Sequence, residues 1–376
     1  MKKKIIHIIN DLRRGGTNNC FYKLLKFSQE KETIICINKK GYYLEKFIAM
    51  GHKVYYFDDS SILSLLKSIL KIFTFLQKEK KSYLHCWLYK SCIFGSIFSV
   101  IFGNRKIIWN IRHSDINFKF KDFKKHLTIR LCIIISNIKN INLIFNSYNS
   151  MSAHVKSGLK SNNIQVINNG FDTDLFRYLD KKEEFLKEYN INKKSFIISM
   201  YARYHPIKNH YILFEAISII SRKFKNIHLF LAGNDINNEN KNLNKILNYF
   251  NLENKTTLAG LLDERDLIKA YSSSDLTILT SNSESFPNVI GESMSCSTPC
   301  LSFDVGDSKR LIGNSGWVTK KNNLHELVKT LRTAILFSKT KVKWKKLKNE
   351  CHIRIRKFHS KENEFLEYQN FYKKLI

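Results

Sequence analysis

The sequence predicts an α/β protein with two Rossmann-like, doubly wound domains. Short apolar runs of strand length alternate with longer segments in which apolar residues recur every three or four positions. Such alternation predicts parallel sheets that are covered by helices on both faces. The pattern occurs twice along 376 residues, a length that corresponds to roughly two domains.

The strands of the first domain are predicted from apolar runs that are separated by helical patterns such as SILSLLKSILKIFTFLQKEK. These runs are KIIHIIN, TIICIN, KVYYFD, YLHCWL, KIIWNIR, INLIFN and NIQVIN. The runs that predict the second sheet are SFIISMYAR, IHLFLAG, TTLAG, LTILT and CLSFD. Ligands of doubly wound sheets bind beyond the carboxyl ends of the strands, so the polar residues that follow these runs are the candidate site residues.

The boundary between the two domains is predicted in a charged segment without a strand, residues 177–194. We expect an N-terminal domain over residues 1–175 and a C-terminal domain over residues 176–359. The last segment, SKENEFLEYQNFYKKLI, has the pattern of an amphipathic helix. This helix, residues 360–376, is expected to pack back on the N-terminal domain.

The chain is strongly basic, with 63 Lys and Arg against 32 Asp and Glu, a net charge of +31. Such an excess favours anionic partners, whether nucleic acid, acidic lipid or phosphorylated substrates. An A/T-biased coding sequence is the alternative explanation, because it raises the Lys content without any functional demand. The richness in Lys, Asn, Ile and Phe agrees with that alternative.

Cysteine spacing and apolar run lengths bear on the compartment. The eight cysteines form no C-x-x-C pair, and no paired histidine spacing completes a zinc site, so we expect buried thiols in a reducing cytoplasm. The N-terminal apolar run is too short for a signal peptide and is broken by His7 and Asn10. The longest uncharged apolar stretch, Cys92 to Gly103, has 12 residues, whereas a spanning helix needs ~20. We therefore predict a cytoplasmic protein without a signal peptide or transmembrane helix.

Two strand ends of the first domain carry candidate site residues. Gly15 and Gly16 follow the first strand, and a helix is predicted to begin near Thr17. The free N–H groups of a helix start can bind phosphate, although a Gly-Gly pair is also typical of a plain turn. His113 follows the fifth strand in WNIRHSD and can donate a hydrogen bond to a hydroxyl; the alternative is a surface or capping histidine. The fingerprints of NAD-binding domains and P-loop ATPases are absent.

Two strand ends of the second domain carry charged pairs. Arg203 and Lys208 follow a strand in YARYHPIKNH and could bind a diphosphate, or they are two ordinary surface cations. In SNSESFPNVIGESMSC, Glu284 lies in a loop and Glu292 about one turn into a helix, whose first position suits Pro287. Carboxylates accept hydrogen bonds from sugar hydroxyls, while the N–H groups of the helix start can bind phosphates. The stretch therefore predicts a site that orients a phosphorylated polyol.

These motifs together resemble the family 4 retaining glycosyltransferases with the GT-B fold. GGT, NNGFDTDLF, ARYHPIKNH, LAGND, the stretch from GLLDERD to FDVGD, and GNSGWV occur in the family's order. The resemblance spans nearly the whole chain and is strongest from Gly260 to Val318, where the Glu-x7-Glu spacing is specific. It implies two Rossmann-like domains facing a cleft and a metal-independent hexosyltransferase. The substrate would be a UDP- or GDP-linked sugar, and no further cofactor is expected.

The resemblance also implies roles for individual residues. Arg203 and Lys208 would bind the donor diphosphate, Glu284 the donor sugar and Glu292 the ribose hydroxyls. His113 would contact the sugar, so that His113 and Glu284 lie closest to the reaction. Further donor contacts would come from the main chain of the glycine turn and of the second domain: Gly15, Gly16, Leu262, Phe286, Asn288 and Val289. The acceptor hydroxyl would attack from the side on which the nucleoside diphosphate leaves.

The sequence departs from the family pattern at two places. Ser285 stands where the family often has glycine, and the loop after LAG contains only Gly233. The DTD run at Asp172 to Asp174 mimics a metal motif of another glycosyltransferase fold, but it lies in a segment that the family shares for structural reasons. We therefore expect no metal there, and the donor preference stays open.

The acceptor side is predicted from a segment in which aromatic and basic residues alternate. It contains Phe118, Lys119, Phe120, Lys121, Lys124 and Lys125. A second run has nine Lys or Arg against one Glu between Lys339 and Lys357. Both runs suit an anionic membrane surface or a lipid-linked diphosphate, although a solvated helix face is the alternative. We expect peripheral attachment to the cytoplasmic membrane face and a lipid-linked oligosaccharide acceptor, as in surface polysaccharide assembly.

Two other classes of function remain open from the sequence. A basic nucleic-acid-binding protein without catalysis would fit the charge, but no DNA- or RNA-reading motif is found, so no nucleic acid partner is expected. A GT-B sugar-nucleotide epimerase would act on the nucleotide sugar without an acceptor. A phosphorylase would require a lysine-bound cofactor, and no motif for one is found.

Overall fold

The computed structural model describes residues 4–28, 30–38, 41–103, 106–113 and 123–375. The chain divides into two units, which are described one at a time. The first unit contains Met1–Asn169 and Glu364–Ile376, and the second contains Gly170–Asn363. Each unit is a parallel sheet with helices on both faces, so the predicted α/β class is confirmed.

The first unit has a seven-stranded sheet of order β3-β2-β1-β4-β5-β6-β7, and its paired strands are parallel. Each strand lies within one of the predicted apolar runs. The strands are β1 (Ile5–Ile9), β2 (Thr33–Cys36), β3 (Lys53–Tyr56), β4 (Tyr83–Trp87), β5 (Ile107–Ile111), β6 (Asn142–Phe145) and β7 (Asn163–Val166).

Seven helices surround this sheet in the described part of the first unit. They are α1 (Gly16–Phe27), α2 (Leu44–Ala49), α3 (Ile62–Lys78), α4 (Tyr89–Ile101), α5 (Phe123–Ile138), α6 (Tyr148–Lys156) and α15 (Lys361–Leu375). Successive residues of β1 point to opposite faces, since Ile6 and Ile8 join one core cluster and Ile5 and Ile9 another. The first cluster contains side chains of α3, α4 and α5, whereas the second contains side chains of α1, α2 and α15.

The second unit has a six-stranded sheet of order β10-β9-β8-β11-β12-β13, again with parallel pairs. Its strands are β8 (Phe196–Tyr201), β9 (Ile227–Ala232), β10 (Thr256–Leu258), β11 (Leu276–Leu279), β12 (Cys300–Phe303) and β13 (Gly316–Thr319). β13 was not among the predicted strands, because its four residues follow a glycine-rich turn and form too short an apolar run to be recognised.

The helices of the second unit again cover both sheet faces. They are α7 (Lys182–Glu188), α8 (His210–Ser221), α9 (Lys241–Tyr249), α10 (Glu264–Ser273), α11 (Asn288–Ser295), α12 (Ser308–Ile312), α13 (Leu324–Ser338) and α14 (Lys341–Phe358). Ile198 and Met200 of β8 pack with α8, α9 and α13, while Ile197 and Tyr201 pack with α7 and α10.

The cysteines and the helix lengths bear on two predictions. All eight cysteines are buried and unbridged, as expected for core thiols such as Cys296 and Cys300. Burial raises the pKa of the Cys300 thiol to about 12, so it stays protonated at neutral pH. None of the helices in the described ranges combines the length and apolarity needed to cross a bilayer.

Candidate functional site

The candidate site of the second unit lies where the direction of its sheet reverses. β8 and β11 are neighbours, and the chain continues from β8 through β9 and β10 on one side and from β11 through β12 and β13 on the other. Such a switch point leaves a crevice beyond the carboxyl ends of the two central strands. Arg203 follows β8 by two residues, and Glu284 lies in the loop after β11. The fold therefore brings both predicted strand ends to one place.

Lys208 and Glu284 form an ion pair in this crevice. Lys208 Nζ lies 2.6 Å from Glu284 Oε1, and the two side chains are only 21% and 16% exposed. The two loops are also joined through their backbones. Thr280 Oγ1 donates to the carbonyl oxygen of Lys208, and the Asn282 N–H donates to that of Ile207 at 2.6 Å. Two residues that the sequence assigned to different parts of a ligand are thus in direct contact.

Arg203, five residues before Lys208 in the chain, is exposed. Within the part of the chain that the structure describes, no hydrogen bond or ion pair involves its guanidinium. The preceding residue, Ala202, packs closely against Gly233. A Cβ on Gly233 would lie 2.4 Å from the carbonyl oxygen of Ala202. Gly233 follows β9, so it fixes the Arg203 loop from the neighbouring strand. The backbone that carries the Arg203 side chain is therefore fixed in position, and the guanidinium is accessible to an anionic ligand.

Gly306 fixes the loop that carries Glu284. Its φ is +56°, and a Cβ there would lie 2.5 Å from the Ser285 carbonyl oxygen and 2.6 Å from that of Glu284. The Asp307 N–H donates to the Ser285 carbonyl oxygen at 3.2 Å. Ser285 itself is not among the described residues with positive φ, so its backbone has no need of the glycine that the family often has there.

Glu292 lies on α11 and is held by a buried tyrosine. Tyr271 Oη donates to Glu292 Oε2 at 3.2 Å. Burial and the nearby Glu292 charge raise the pKa of Tyr271 well above its usual value, so the phenol keeps its proton and remains a donor. Glu292 is the fifth residue of the helix, as expected, but Pro287 is the N-cap residue with ψ of 95° rather than the first helical residue.

The other predicted donor contacts of this unit could involve only the main chain. Phe286 is 6% exposed, and its ring stacks on Phe171 with centroids 6.1 Å apart. Leu262 and Val289 pack their side chains against one core cluster, and Asn288 is half-buried at the start of α11. Gly291 allows this packing, because a Cβ there would lie 2.0 Å from the Phe171 ring.

The glycine turn of the first unit lies at the corresponding switch point of its own sheet, between β1 and β4. Gly15 is the N-cap of α1, and Gly16 is its first residue. Both are exposed, and a Cβ on either would meet nothing within 4 Å. Ser91 donates to Asn10 Oδ1 at 2.6 Å and joins the loop after β1 to α4. The described residues therefore leave space over the turn, as close approach of a ligand requires.

His113 is exposed directly beyond β5. Its carbonyl oxygen accepts from Ser150 Oγ at 2.6 Å, and its ring lies parallel to that of Tyr89, with centroids 6.5 Å apart. Tyr89 Oη in turn lies 2.6 Å from His154 Nε2. Burial lowers the pKa of His154 to about 4, so this histidine is neutral and accepts from Tyr89, while its Nδ1–H donates to the Ser150 carbonyl. His113 is thus supported by a ring whose position is fixed.

The remaining predicted residues are distributed as follows. Asp172 pairs with Lys361 at 2.9 Å, a structural use of the DTD run. Among the described residues, no group of three or more His, Cys, Asp and Glu could hold a metal ion. Lys124 is exposed and Lys125 half-buried near the start of α5. The other predicted acceptor-side residues lie outside the described residues: Phe118, Lys119, Phe120 and Lys121.

Comparison with known proteins identifies the class. The family model described as "Glycosyl transferases group 1" matches residues 181–350, most of the second unit. A crystal structure of HepE from Anabaena in complex with UDP has a TM-score of 0.85 at 18% identity, covering 99% of this chain and 100% of that chain. The same protein with UDP-glucose has a TM-score of 0.81 at 19% identity, covering 99% of each chain. Residues 181–350 therefore resemble the group 1 glycosyltransferases, and the chain has the GT-B fold.

Two curated relatives agree with this class. An uncharacterized glycosyltransferase of Methanocaldococcus jannaschii is 25% identical over 225 residues, covering 58% of this chain and 53% of its own length. The UDP-Gal:alpha-D-GlcNAc-diphosphoundecaprenol alpha-1,3-galactosyltransferase of Escherichia coli is 24% identical over 287 residues, covering 72% and 70%. The chain thus spans about half the length of the first of these relatives. The finer assignment to family 4 is consistent with these matches.

Proposed function

We propose that this protein is a retaining hexosyltransferase that transfers a sugar from a nucleotide sugar, most simply a UDP-hexose, to a hydroxyl of a lipid-linked glycan. The observation that carries the proposal is the arrangement at the β8–β11 switch point. An exposed Arg203 and a Lys208 that is paired with Glu284 both follow β8, and Glu292 lies on α11, the helix after the Glu284 loop. Cations for a diphosphate and carboxylates for hydroxyls are the groups that a nucleotide sugar requires.

The Lys208–Glu284 pair indicates separate roles for the cations and the carboxylate. Arg203 and Lys208 neutralise the charge that develops on the leaving diphosphate. Glu284 holds the Lys208 ammonium with Oε1, and as a carboxylate it can also accept a hydrogen bond from a hydroxyl of the donor sugar. A carboxylate that is paired in this way is a weak nucleophile, which favours positioning by Glu284 over a covalent intermediate. This reasoning agrees with retention by attack from the face on which the diphosphate leaves.

The donor base and the acceptor are proposed from the relatives. The Escherichia coli enzyme is named for a UDP-linked donor and a diphosphoundecaprenol-linked acceptor. The Anabaena protein was crystallised with UDP and with UDP-glucose. A uridine donor is therefore the first choice over the GDP-linked alternative, and a polyprenyl diphosphate glycan is the first acceptor to test. The two cations support transfer without a metal ion. We further propose that the transfer takes place at the cytoplasmic face of a membrane and within a polysaccharide pathway.

A transfer assay tests the proposal. The full chain is incubated with a panel of UDP- and GDP-hexoses and a polyprenyl diphosphate monosaccharide, and the glycolipid product and its anomeric configuration are determined by NMR. We expect one UDP-hexose to give an α-linked product from its α-configured donor. An inverted product would contradict retention. Epimerisation of the nucleotide sugar without an acceptor would favour the epimerase alternative, and the absence of any turnover would contradict the proposed activity.

Glu284→Gln tests the site within the same assay. The substitution keeps the shape of the side chain and removes the charge that holds Lys208, so we expect kcat/KM to fall about 100-fold or more. Glu253→Gln is the matched control, because Glu253 is an exposed carboxylate of the same unit. An equal fall of kcat/KM in both variants would show a general effect of charge. It would contradict the assignment of Glu284 to the site.

A further inference from the structure

The outer surface of α3 is apolar where a soluble helix is ordinarily polar. Only two side chains of α3, Ile72 and Leu76, are fully buried. Its exposed apolar side chains are Ile62 (82%), Leu63 (62%), Leu66 (52%), Ile69 (40%), Leu70 (62%) and Phe73 (40%). At 3.6 residues per turn these six positions fall within an arc of roughly 120°, directly beside the buried pair. They form one continuous stripe.

α4 and α5 repeat the feature. Apart from Lys90, the exposed residues of α4 are all large and apolar: Phe94, Ile97, Val100 and Ile101. The exposed apolar residues of α5 have helical spacing and fall within an arc of roughly 60°. They are Leu127, Leu131, Ile134 and Ile138.

The three stripes lie on the same side of the first unit. α3, α4 and α5 share one core cluster, which covers one face of the sheet. The Phe73 and Phe102 rings join α3 to the end of α4, with centroids 4.7 Å apart. The exposed side chains named above therefore form one surface, here called the apolar helix face. Its area is on the order of a thousand Å², whereas soluble monomers rarely expose contiguous apolar patches of more than a few hundred Å².

The charged residues within the three helices of the apolar helix face have one sign. The sequences of α3, α4 and α5 contain no Asp or Glu. Lys67, Lys71 and Lys78 lie together along one edge of the α3 stripe, and Lys124 and Arg130 lie on opposite edges of the α5 stripe. An apolar stripe bordered by Lys and Arg is the pattern of a helix that lies in the headgroup region of an anionic membrane.

We propose that the apolar helix face is a membrane-docking surface that inserts its Leu, Ile and Phe side chains into the interface of an anionic bilayer. The lysines at its edges would bind the lipid headgroups. The purpose of this docking, access to a lipid-linked acceptor, rests on the proposed function. The binding to the membrane does not. The proposal places the attachment on α3, α4 and α5, which contain only the end of the first basic run singled out in the sequence, Lys124 and Lys125.

A second copy of the chain is the less favourable occupant. A two-fold interface brings the same patch of both subunits together, so the cations at the edges of one apolar helix face would approach those of the other. No acidic residue of the three helices could compensate them. An anionic lipid surface removes this repulsion and buries the same apolar area.

Vesicle co-sedimentation of the full chain tests the proposal. The vesicles are phosphatidylcholine alone or phosphatidylcholine with about 30% phosphatidylglycerol. The test variant is Leu66→Gln/Leu70→Gln, and the matched control is Leu336→Gln/Leu366→Gln, which changes two exposed leucines on α13 and α15. Circular dichroism melts and sedimentation velocity without lipid accompany each variant, and a thermal shift with UDP reports the donor site separately.

We expect the wild type and the control to bind the anionic vesicles and the test variant to bind at least about tenfold more weakly, with unchanged melting and UDP shift. Binding of the wild type should weaken but persist at about 0.5 M salt, because apolar insertion is not screened. Equal binding by both variants would overturn the proposal. So would a wild-type dimer that becomes monomeric in the test variant, since it would make this face a subunit interface. If neither the wild type nor any variant shows a thermal shift with UDP while vesicle binding is as expected, the result would contradict the proposed function alone.

Discussion

The Lys208–Glu284 ion pair is the feature of single residues that most constrains the chemistry. Both side chains are largely shielded from solvent, so their attraction is weakened little by salt. A diphosphate that approaches Lys208 must share the ammonium with Glu284 or displace the carboxylate. Sharing costs less, because Glu284 would otherwise be left partly buried without its partner. Glu284 therefore acts on the donor both directly and through the position of Lys208.

In the proposed function, Tyr271 acts on the nucleotide through Glu292 and is a positioning residue. Tyr271→Phe removes one hydrogen bond to a carboxylate, so Glu292 becomes less fixed. We expect the Kd for UDP to rise about tenfold while kcat at saturating donor stays nearly unchanged. Isothermal titration calorimetry and donor-saturation kinetics measure the two quantities. A fall in kcat with an unchanged Kd would contradict the binding role.

The sequence predicts the charged residues of this candidate site but not their contacts. Arg203, Lys208, Glu284 and Glu292 are recognisable because charged residues follow apolar runs at strand ends. The Tyr271–Glu292 hydrogen bond depends on how α10 packs beside α11, and no local pattern around Tyr271 indicates it. Likewise, Gly306 is one glycine among 14, and its role becomes visible only when its backbone meets that of Glu284 and Ser285.

At the scale of elements, the site is built by loops that glycines hold against one another. Gly233 after β9 fixes the backbone of Ala202, and Gly306 after β12 fixes the loop after β11. The outer strands of the switch point therefore support the loops of the two central strands. This arrangement predicts that a change at Gly306 reaches Glu284 without touching any charged group.

Gly306→Ala tests this support. The added methyl group would meet two carbonyl oxygens, and alanine disfavours a φ of +56°, so we expect a loss of about 2 kcal/mol or more in stability. Transfer activity should fall with it. Gly16→Ala is the informative counterpart, because its Cβ meets no protein atom within 4 Å. That variant should keep full stability in urea denaturation and lose donor turnover. Equal stability of both variants would contradict the packing role of Gly306.

Element boundaries were less predictable than element order. Every strand of the first sheet lies within a predicted run, because buried parallel strands are continuous apolar segments. β13 was missed, since only four residues separate the turn before it from the loop after it. A short 3-10 turn, Pro206–Lys208, precedes α8, which begins at His210. Asn209 between them has φ of +53°, a break that the sequence pattern does not reveal.

At the scale of the whole molecule, buried histidines couple stability to pH. Burial lowers the pKa of His7 to about 3 and that of four further histidines to about 4: His154, His210, His228 and His359. The unfolded chain binds these protons near pH 6.5, whereas the folded chain does not. Stability is therefore complete above about pH 6.5 and is lost as the pH falls toward the folded-state values.

The melting temperature is expected to fall between pH 7 and pH 5. The fully buried His7 alone corresponds to a loss on the order of 2 kcal/mol by pH 5. Circular dichroism melts at constant ionic strength measure the effect, and His7→Gln should show a smaller pH dependence than the wild type. A melting temperature that is constant or rises on acidification would contradict the assignment of neutral buried histidines.

The central claim is that the β8–β11 switch point of the second unit binds the diphosphate of a nucleotide sugar. Titration of UDP into the full chain by calorimetry tests it most directly, with Arg203→Ala compared with Arg222→Ala, an exposed arginine at the end of α8. The predicted result is wild-type affinity for Arg222→Ala and a Kd raised at least about tenfold for Arg203→Ala. Undiminished UDP binding by Arg203→Ala, or no UDP binding by the wild type, would contradict the claim.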